Sequence, residues 1–264
     1  MLLLIRLAIF ALLLAWVLLP VTVQGWLVLP VWVLVSWLIF ITRLEVVRTR
    51  RCVWLNQYLA PGSLLQQRLQ TGWIAALGQL LLALLLGLLF IVQLLVSDGW
   101  FWWLLVLSLL LLVWVEPLIT RLLAGQVRRE YLPVLTRRCS GWLVAGLLML
   151  VMLLVRLQMA QPWLIDLSWR EALLLQLRMQ GEPGVLALLI RLSQSLDITW
   201  QWLLQNALGS RADSGWLAVL AWSTLFGLQA ALCLAWVQLL TGLQLLMATP
   251  KKIGRSLDHA QQDN

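Results

Sequence analysis

The stretch WIAALGQLLLALLLGLLFIVQLLV, Trp73 to Val96, carries no charged residue and no proline. As a helix it is about 36 Å long at 1.5 Å per residue, enough to cross a hydrocarbon layer of about 30 Å. A membrane strand would need apolar and polar residues in alternation, and the run Leu80 to Phe90 does not alternate. This stretch therefore reads as a transmembrane helix, and the composition extends that reading to the whole chain. Of 264 residues, 62% are hydrophobic and 11% charged, where a soluble domain has about 45–50% and about 25%.

The same criteria place five further spans around it. One runs from about Leu2 to Leu19 and ends at Pro20; the next, about Trp26 to Ile41, follows a tight turn made by VTVQG, residues 21–25. Beyond Val96, SDG joins the central stretch to a span from about Trp100 to Leu118, and the fifth runs from about Gly141 to Val155. The sixth, about Trp216 to Met247, is too long for the layer, so it must tilt, break near Thr241–Gly242 or project beyond the membrane. The expected fold is an all-α polytopic bundle. Residues 1–155 form five spans with two arginine-rich loops, 156–215 an outer amphipathic segment, 216–249 the sixth span and 250–264 a polar tail.

Charge sets the orientation, because lysine and arginine resist translocation and collect in cytoplasmic loops. Arg43, Arg48, Arg50, Arg51 and Arg68 lie between spans two and three, and Arg121, Arg128, Arg129, Arg137 and Arg138 between four and five. Arg6, Lys251, Lys252 and Arg255 share that side, so both termini are expected in the cytoplasm. The opposite side has five arginines, offset by acidic residues that include Asp98, Asp166 and Glu171. A charged start followed by an apolar run also describes a signal peptide, but no small-residue cleavage site follows and a second span begins at once. An uncleaved first helix is expected. Short hairpin turns and the preference for arginine, with only two lysines, point to a bacterial inner membrane.

The 18 tryptophans suit a protein with much interfacial surface. Trp26, Trp73, Trp100, Trp102, Trp103, Trp142 and Trp216 stand at or near the starts of apolar runs, whereas Trp32, Trp37 and Trp222 lie deeper and are expected to pack. Outside the spans, SWRE, Ser168 to Glu171, has the form of a capping box opening a helix to about Met179, which GEPG, residues 181–184, ends. A second helix, about Val185 to Leu208, has an apolar stripe of Leu189, Leu192, Leu196, Trp200, Leu203 and Ala207. Arg191, Gln194, Ser195, Gln201 and Gln205 form another face. It should lie on the outer leaflet or cap the bundle, and its first turns, GVLALLI, suit a re-entrant segment.

Polar residues inside the spans are the candidates for function. Glu116 is followed by Pro117, and about 24 Å of helix puts it near the cytoplasmic boundary, with Arg121 about one turn beyond. The spacing favours an interfacial carboxylate paired with Arg121, with the helix kinked or ended at Pro117. An ion-coupling carboxylate is the competing role, since broken helices also assemble ion sites in transporters. Gln79, Gln93, Gln229 and Gln238 suit interhelical hydrogen bonds better than a pore lining. Ser223, Gly227, Ala231 and Ala235 recur at intervals of four and form a small-residue packing stripe; Gly141 and Ala145 repeat the interval once.

No metal site or cofactor is expected: the single histidine, His259, is in the tail, and Cys52, Cys139 and Cys233 have no ligand spacing. No phosphate-binding loop or nucleophile motif is present, so no catalytic residue is assigned. The arginine clusters are explained by anionic lipid headgroups and protein partners without invoking nucleic acid. Two functions follow. One is a non-enzymatic subunit of an inner-membrane secretion, conjugation or transport assembly, docking partners through its basic loops and its outer cap. The other is a stand-alone transporter or channel with Glu116 near its cytoplasmic mouth. The scarcity of polar groups in the spans favours the first.

Overall fold

The computed structural model describes residues 2–58, 72–127, 131–158, 164, 167–177, 184–209 and 215–248, and among them the regular structure is entirely helical. In chain order the helices are α1 (Leu2–Val17), α2 (Val21–Tyr58), α3 (Trp73–Val96), α4 (Gly99–Leu123), α5 (Leu132–Gln158), α6 (Trp169–Leu177), α7 (Val185–Gly209) and α8 (Gly215–Ala248). Five of them, α2, α3, α4, α5 and α8, are long and apolar enough to cross a membrane. The 16 residues of α1 make about 24 Å of helix, short of the hydrocarbon thickness, although its composition is apolar.

Helix α8 is the centre of the bundle. Its membrane-length stretch is 61% buried, against 28–33% for the other four. A helix apolar on every side must be surrounded by protein or lipid. Here the surround is protein, with α2, α3, α5 and α7 packed on it. At mid-height Trp236 is fully buried and stacks on Phe90 of α3 at 5.7 Å. Its indole Nε1 donates to Ser108 Oγ of α4 at 2.7 Å, and that hydroxyl donates in turn to the Leu105 carbonyl. The indole is satisfied without water, which apolar burial requires.

Close backbone approach makes this packing possible. A Cβ at Gly242 would stand 2.1 Å from the Leu38 carbonyl oxygen of α2, and one at Gly141 of α5 would meet Val237 at 3.1 Å. A Cβ at Gly87 of α3 would likewise fall 2.3 Å from Ser36 Oγ. The expected small-residue stripe on α8 contributes only its later half. Ala235 is fully buried, but Ser223 and Gly227 are exposed and nothing lies within 4 Å of a Cβ built at Gly227. The small residue of α8 in closest contact is Gly242, seven positions beyond Ala235 and therefore near the same face, though outside the interval of four.

Several boundaries differ from those read in the sequence, for one reason: hydrocarbon offers no water to a backbone amide, so helices run on wherever they can. VTVQG is not the turn. It opens α2, with Val23 and Gln24 amides donating to the Pro20 carbonyl at 2.9 and 3.0 Å, and Gln24 Nε2 donating back to the Val17 carbonyl left open at the end of α1. Pro30 and Pro117 sit inside α2 and α4 without ending them. Span six does not break at Thr241–Gly242; α8 is one helix of 34 residues. The arginines expected in loops lie in helices: Arg43, Arg48, Arg50 and Arg51 on α2, and Arg137 and Arg138 on α5.

Outside the main core, α6 packs on α7 around Leu164, Ala172 and Ile198. The capping box forms as expected: Glu171 Oε2 accepts from the Ser168 amide at 2.9 Å, and the Glu171 amide donates to Ser168 Oγ at 3.3 Å. The first turns of α7 join the main core through Leu186, with Leu189 and Ile190 against it. Further along the apolar stripe, Leu192 and Leu196 are exposed and Trp200 and Leu203 half-buried. Polar partners decide this. Gln205 Oε1 accepts from the Leu164 amide, and Trp202 Nε1 donates to the Leu167 carbonyl, which draws α6 to the other side of the helix. Trp37, expected in the interior, is exposed, as are Trp26, Trp73, Trp103 and Trp142. Trp32 does pack, donating to the Leu84 carbonyl at 3.0 Å. The GEPG and tail readings, and Arg68, Arg128 and Arg129, lie outside the described residues.

Two outcomes follow. Gly242→Ala should lower stability by about 1–3 kcal/mol, as overpacking does. Gly227→Ala should leave it unchanged or raise it by up to about 1 kcal/mol through helix propensity. Thermal melts in detergent compare them, and equal effects would contradict the packing described. The second concerns pH. The two hydrogen bonds from Ser168 hold the Glu171 carboxyl below its ordinary value of 4.5. The cap is therefore intact above about 4.5 and weakens as pH falls through the lower folded-state value. Hydrogen exchange in α6, corrected for intrinsic rate, should lose protection over that window in the wild type and much less in Glu171→Gln.

Candidate functional site

Two polar networks lie at one end of the bundle, where α1 begins, α2 leaves the apolar layer, α3 and α5 begin, and α4 and α8 end. The first contains Glu116. Its Oε2 accepts from Arg6 Nη2 of α1 at 2.9 Å and from Gln244 Nε2 of α8 at 3.1 Å, so one carboxylate ties three helices together. Arg6 is 1% exposed and Glu116 28%. A buried guanidinium without an anion would be strongly unfavourable, and Glu116 is the anion that permits it. Thr120 Oγ1 donates to the Glu116 carbonyl at 2.7 Å, one turn beyond, beside the amide that Pro117 lacks.

The sequence reading paired Glu116 with Arg121, and the structure pairs it with Arg6. Arg121 is exposed near the end of α4, five positions along, which turns it away from Glu116 on a helix of 3.6 residues per turn. Arg6 had a signal, as a lone charge four residues into an apolar helix. Its partner lies 110 positions away, beyond the reach of any local pattern.

Gln79 belongs to the second network. Arg43 of α2 donates through Nε to Gln79 Oε1 at 2.7 Å and through Nη1 to Gln238 Oε1 of α8 at 3.4 Å. Thr42 Oγ1 donates to the Gln238 carbonyl at 2.8 Å, and Thr241 Oγ1 donates to the Thr42 hydroxyl at 3.3 Å. Glu45 pairs with Arg137 of α5. Gln79 and Gln238 thus make the interhelical bonds expected of them. Gln229, 9% exposed, lies further along α8 with no partner for its Nε2 among the described residues. Gln93 is half-buried near the far end of α3 and joins neither network. Of the six polar candidates, Glu116 enters one network and Gln79 and Gln238 the other, and Arg121, Gln93 and Gln229 enter neither.

The geometry is that of a clamp. Arg6, Arg43, Arg137 and Gln244 each donate to a side chain on a neighbouring helix. No group of three or more His, Cys, Asp or Glu side chains able to hold a metal occurs among the described residues. Five membrane-length apolar helices, fastened to one another at one end by arginine, define a multi-pass helical membrane protein. No known protein family matches the chain, and no curated protein or solved structure matches it.

Glu116→Gln leaves Arg6 buried without a counter-charge and should lower stability by about 2–4 kcal/mol. That is toward the low end for a broken buried pair, because Glu116 is part-exposed. Adding Arg6→Met should recover most of the loss, since the second substitution removes the stranded charge. Chemical unfolding in mixed micelles measures the cycle, and additive losses would count against the ion pair.

Proposed function

We propose that this chain is a non-enzymatic subunit of a multi-protein assembly in a bacterial inner membrane, of the secretion, conjugation or transport kind. The observation that carries the reading is the projection of α2. Its 38 residues make about 57 Å of helix, roughly 27 Å more than the hydrocarbon layer. The extra turns carry Arg48 and Arg50 exposed at the end of the bundle where the other arginines collect. A rigid basic rod standing off the membrane suits the acidic face of a soluble partner, with electrostatic steering of the encounter. On the positive-inside rule that partner is cytoplasmic.

The bundle interior supports the same reading over a carrier or channel. A solute path needs polar groups to replace water along its length. At mid-height the space between α3, α4 and α8 is occupied by Phe90, Leu109 and Trp236, all fully buried. Glu116, the carboxylate a coupled carrier would use, is engaged by Arg6 and Gln244. The α6–α7 pair, with Trp169, Leu188, Leu192 and Leu196 exposed, provides a second surface, which we assign to the extracytoplasmic side.

Mild solubilisation of the native membrane should recover the chain with fixed partners. Arg48→Glu with Arg50→Glu should release the cytoplasmic one while the melting curve stays at the wild-type position. Recovery of the chain alone, together with solute flux in liposomes holding nothing else, would replace this reading with the transporter.

A further inference from the structure

Beside the Arg43 network lies a cavity of about 230 Å³ between α2, α3, α5 and α8. It has many times the about 10–15 Å³ that one water needs. Its charged lining is Arg43, Arg50, Arg137 and Arg138 with Glu45, four cations and one anion. Glu45 is engaged by Arg137. Arg43 is half-buried, and both of its side-chain partners, Gln79 and Gln238, are neutral amides. The Arg138 side chain has no hydrogen-bond or ion-pair partner among the described residues. The lining therefore carries a net three positive charges.

A guanidinium drawn out of water is stabilised by an anion it can bond through two N–H groups, and phosphate oxygens match that fork. The rest of the lining joins the polar Thr42, Gln79, Gln238 and Thr241 to the apolar Val46, Val134, Leu234 and Val237. Trp142 completes the lining and is 58% exposed at its edge. An indole at such a place sits where acyl chains meet headgroups. A ligand with a phosphate at one end and hydrocarbon at the other uses both halves of this lining, whereas a soluble phosphate uses only one. Basic pockets between membrane helices bind anionic headgroups on this principle.

We propose that the cavity is a specific site for the phosphodiester headgroup of an anionic phospholipid, held by Arg43, Arg138 and Arg50, with the acyl chains leaving past Trp142. Of the two exposed α2 arginines assigned to partner docking, Arg50 also borders this cavity and Arg48 does not. The site differs from general attraction of basic residues to a charged surface, because it is a cavity with defined walls.

The test uses the purified full chain in dodecyl maltoside, titrated with phosphatidylglycerol, phosphatidylcholine or sodium phosphate at equal phosphate, with the melting midpoint as readout. Phosphatidylglycerol should raise the midpoint saturably, and the other two should not. Arg138→Gln breaks no side-chain hydrogen bond or ion pair among the described residues and keeps most of the side-chain stem, so it should fold normally and weaken the apparent phosphatidylglycerol affinity about tenfold, equivalent to about 1.4 kcal/mol. Arg48→Gln, outside the cavity, should bind as the wild type does. Equal shifts from phosphatidylcholine would remove the requirement for net charge and overturn the site. Equal losses in Arg48→Gln and Arg138→Gln would reduce it to surface attraction. A shift as large from sodium phosphate would make the ligand a soluble anion and end the lipid assignment.

Discussion

At Gly242 the α8 backbone lies so near the Leu38 carbonyl of α2 that no side chain fits between them. Lipid tails are as apolar as leucine, so little hydrophobic force draws helices together inside the layer, and association rests on close packing and on hydrogen bonds. The approach at Gly242 supplies the first and, through its neighbours, the second. Thr241 and Gln238, on adjacent turns, reach Thr42 and Arg43, and Gln244 reaches Glu116. With α8 held there, Trp236 comes to rest against Phe90 and Ser108 in the middle of the bundle.

The bundle is therefore asymmetric along its axis. One half is filled by leucine and aromatic side chains, and the other is fastened by arginine, glutamate and glutamine. Arginine suits this place because it is always charged and offers five donors in a rigid plane. Arg6 uses its charge inward, on Glu116, at near-complete burial. Arg43 is bound by two amide oxygens that leave its charge unneutralised, beside Arg138, whose side chain is unbonded among the described residues. Arg48 is exposed outside the cavity and Arg50 at its border, on a helix longer than the hydrocarbon layer is thick. The same residue type is thus a buried clamp at Arg6 and, in the roles proposed above, an anion receptor and an exposed docking group.

Much of this was legible in the chain. Uninterrupted apolar runs can satisfy their backbone in lipid only as helix, so the existence of α2, α3, α4, α5 and α8 follows from hydropathy alone. The Ser168–Glu171 cap was equally legible, because its partners are three residues apart and the interaction is local. Exposed Trp26, Trp73, Trp103 and Trp142 at the starts of apolar runs are legible for the same reason: the preference of an indole depends on depth, and depth follows from counting residues.

What the tertiary structure alone decided is partnership. Glu116 has an arginine five residues away and bonds instead to one 110 residues away, because the helix turns Arg121 outward while α1 brings Arg6 alongside. Leu192 and Leu196 of the α7 stripe stay exposed because Gln205 and Trp202 bind backbone at 164 and 167 on the other side. Gly242 becomes the close contact and Gly227 does not, although both are glycines in one helix, since only Gly242 crosses a neighbour. Depth and helicity depend on each residue and its near neighbours along the chain. Which side chains meet depends on the relative rotation and crossing of whole helices, and in a chain this rich in leucine every helix face reads alike until they pack.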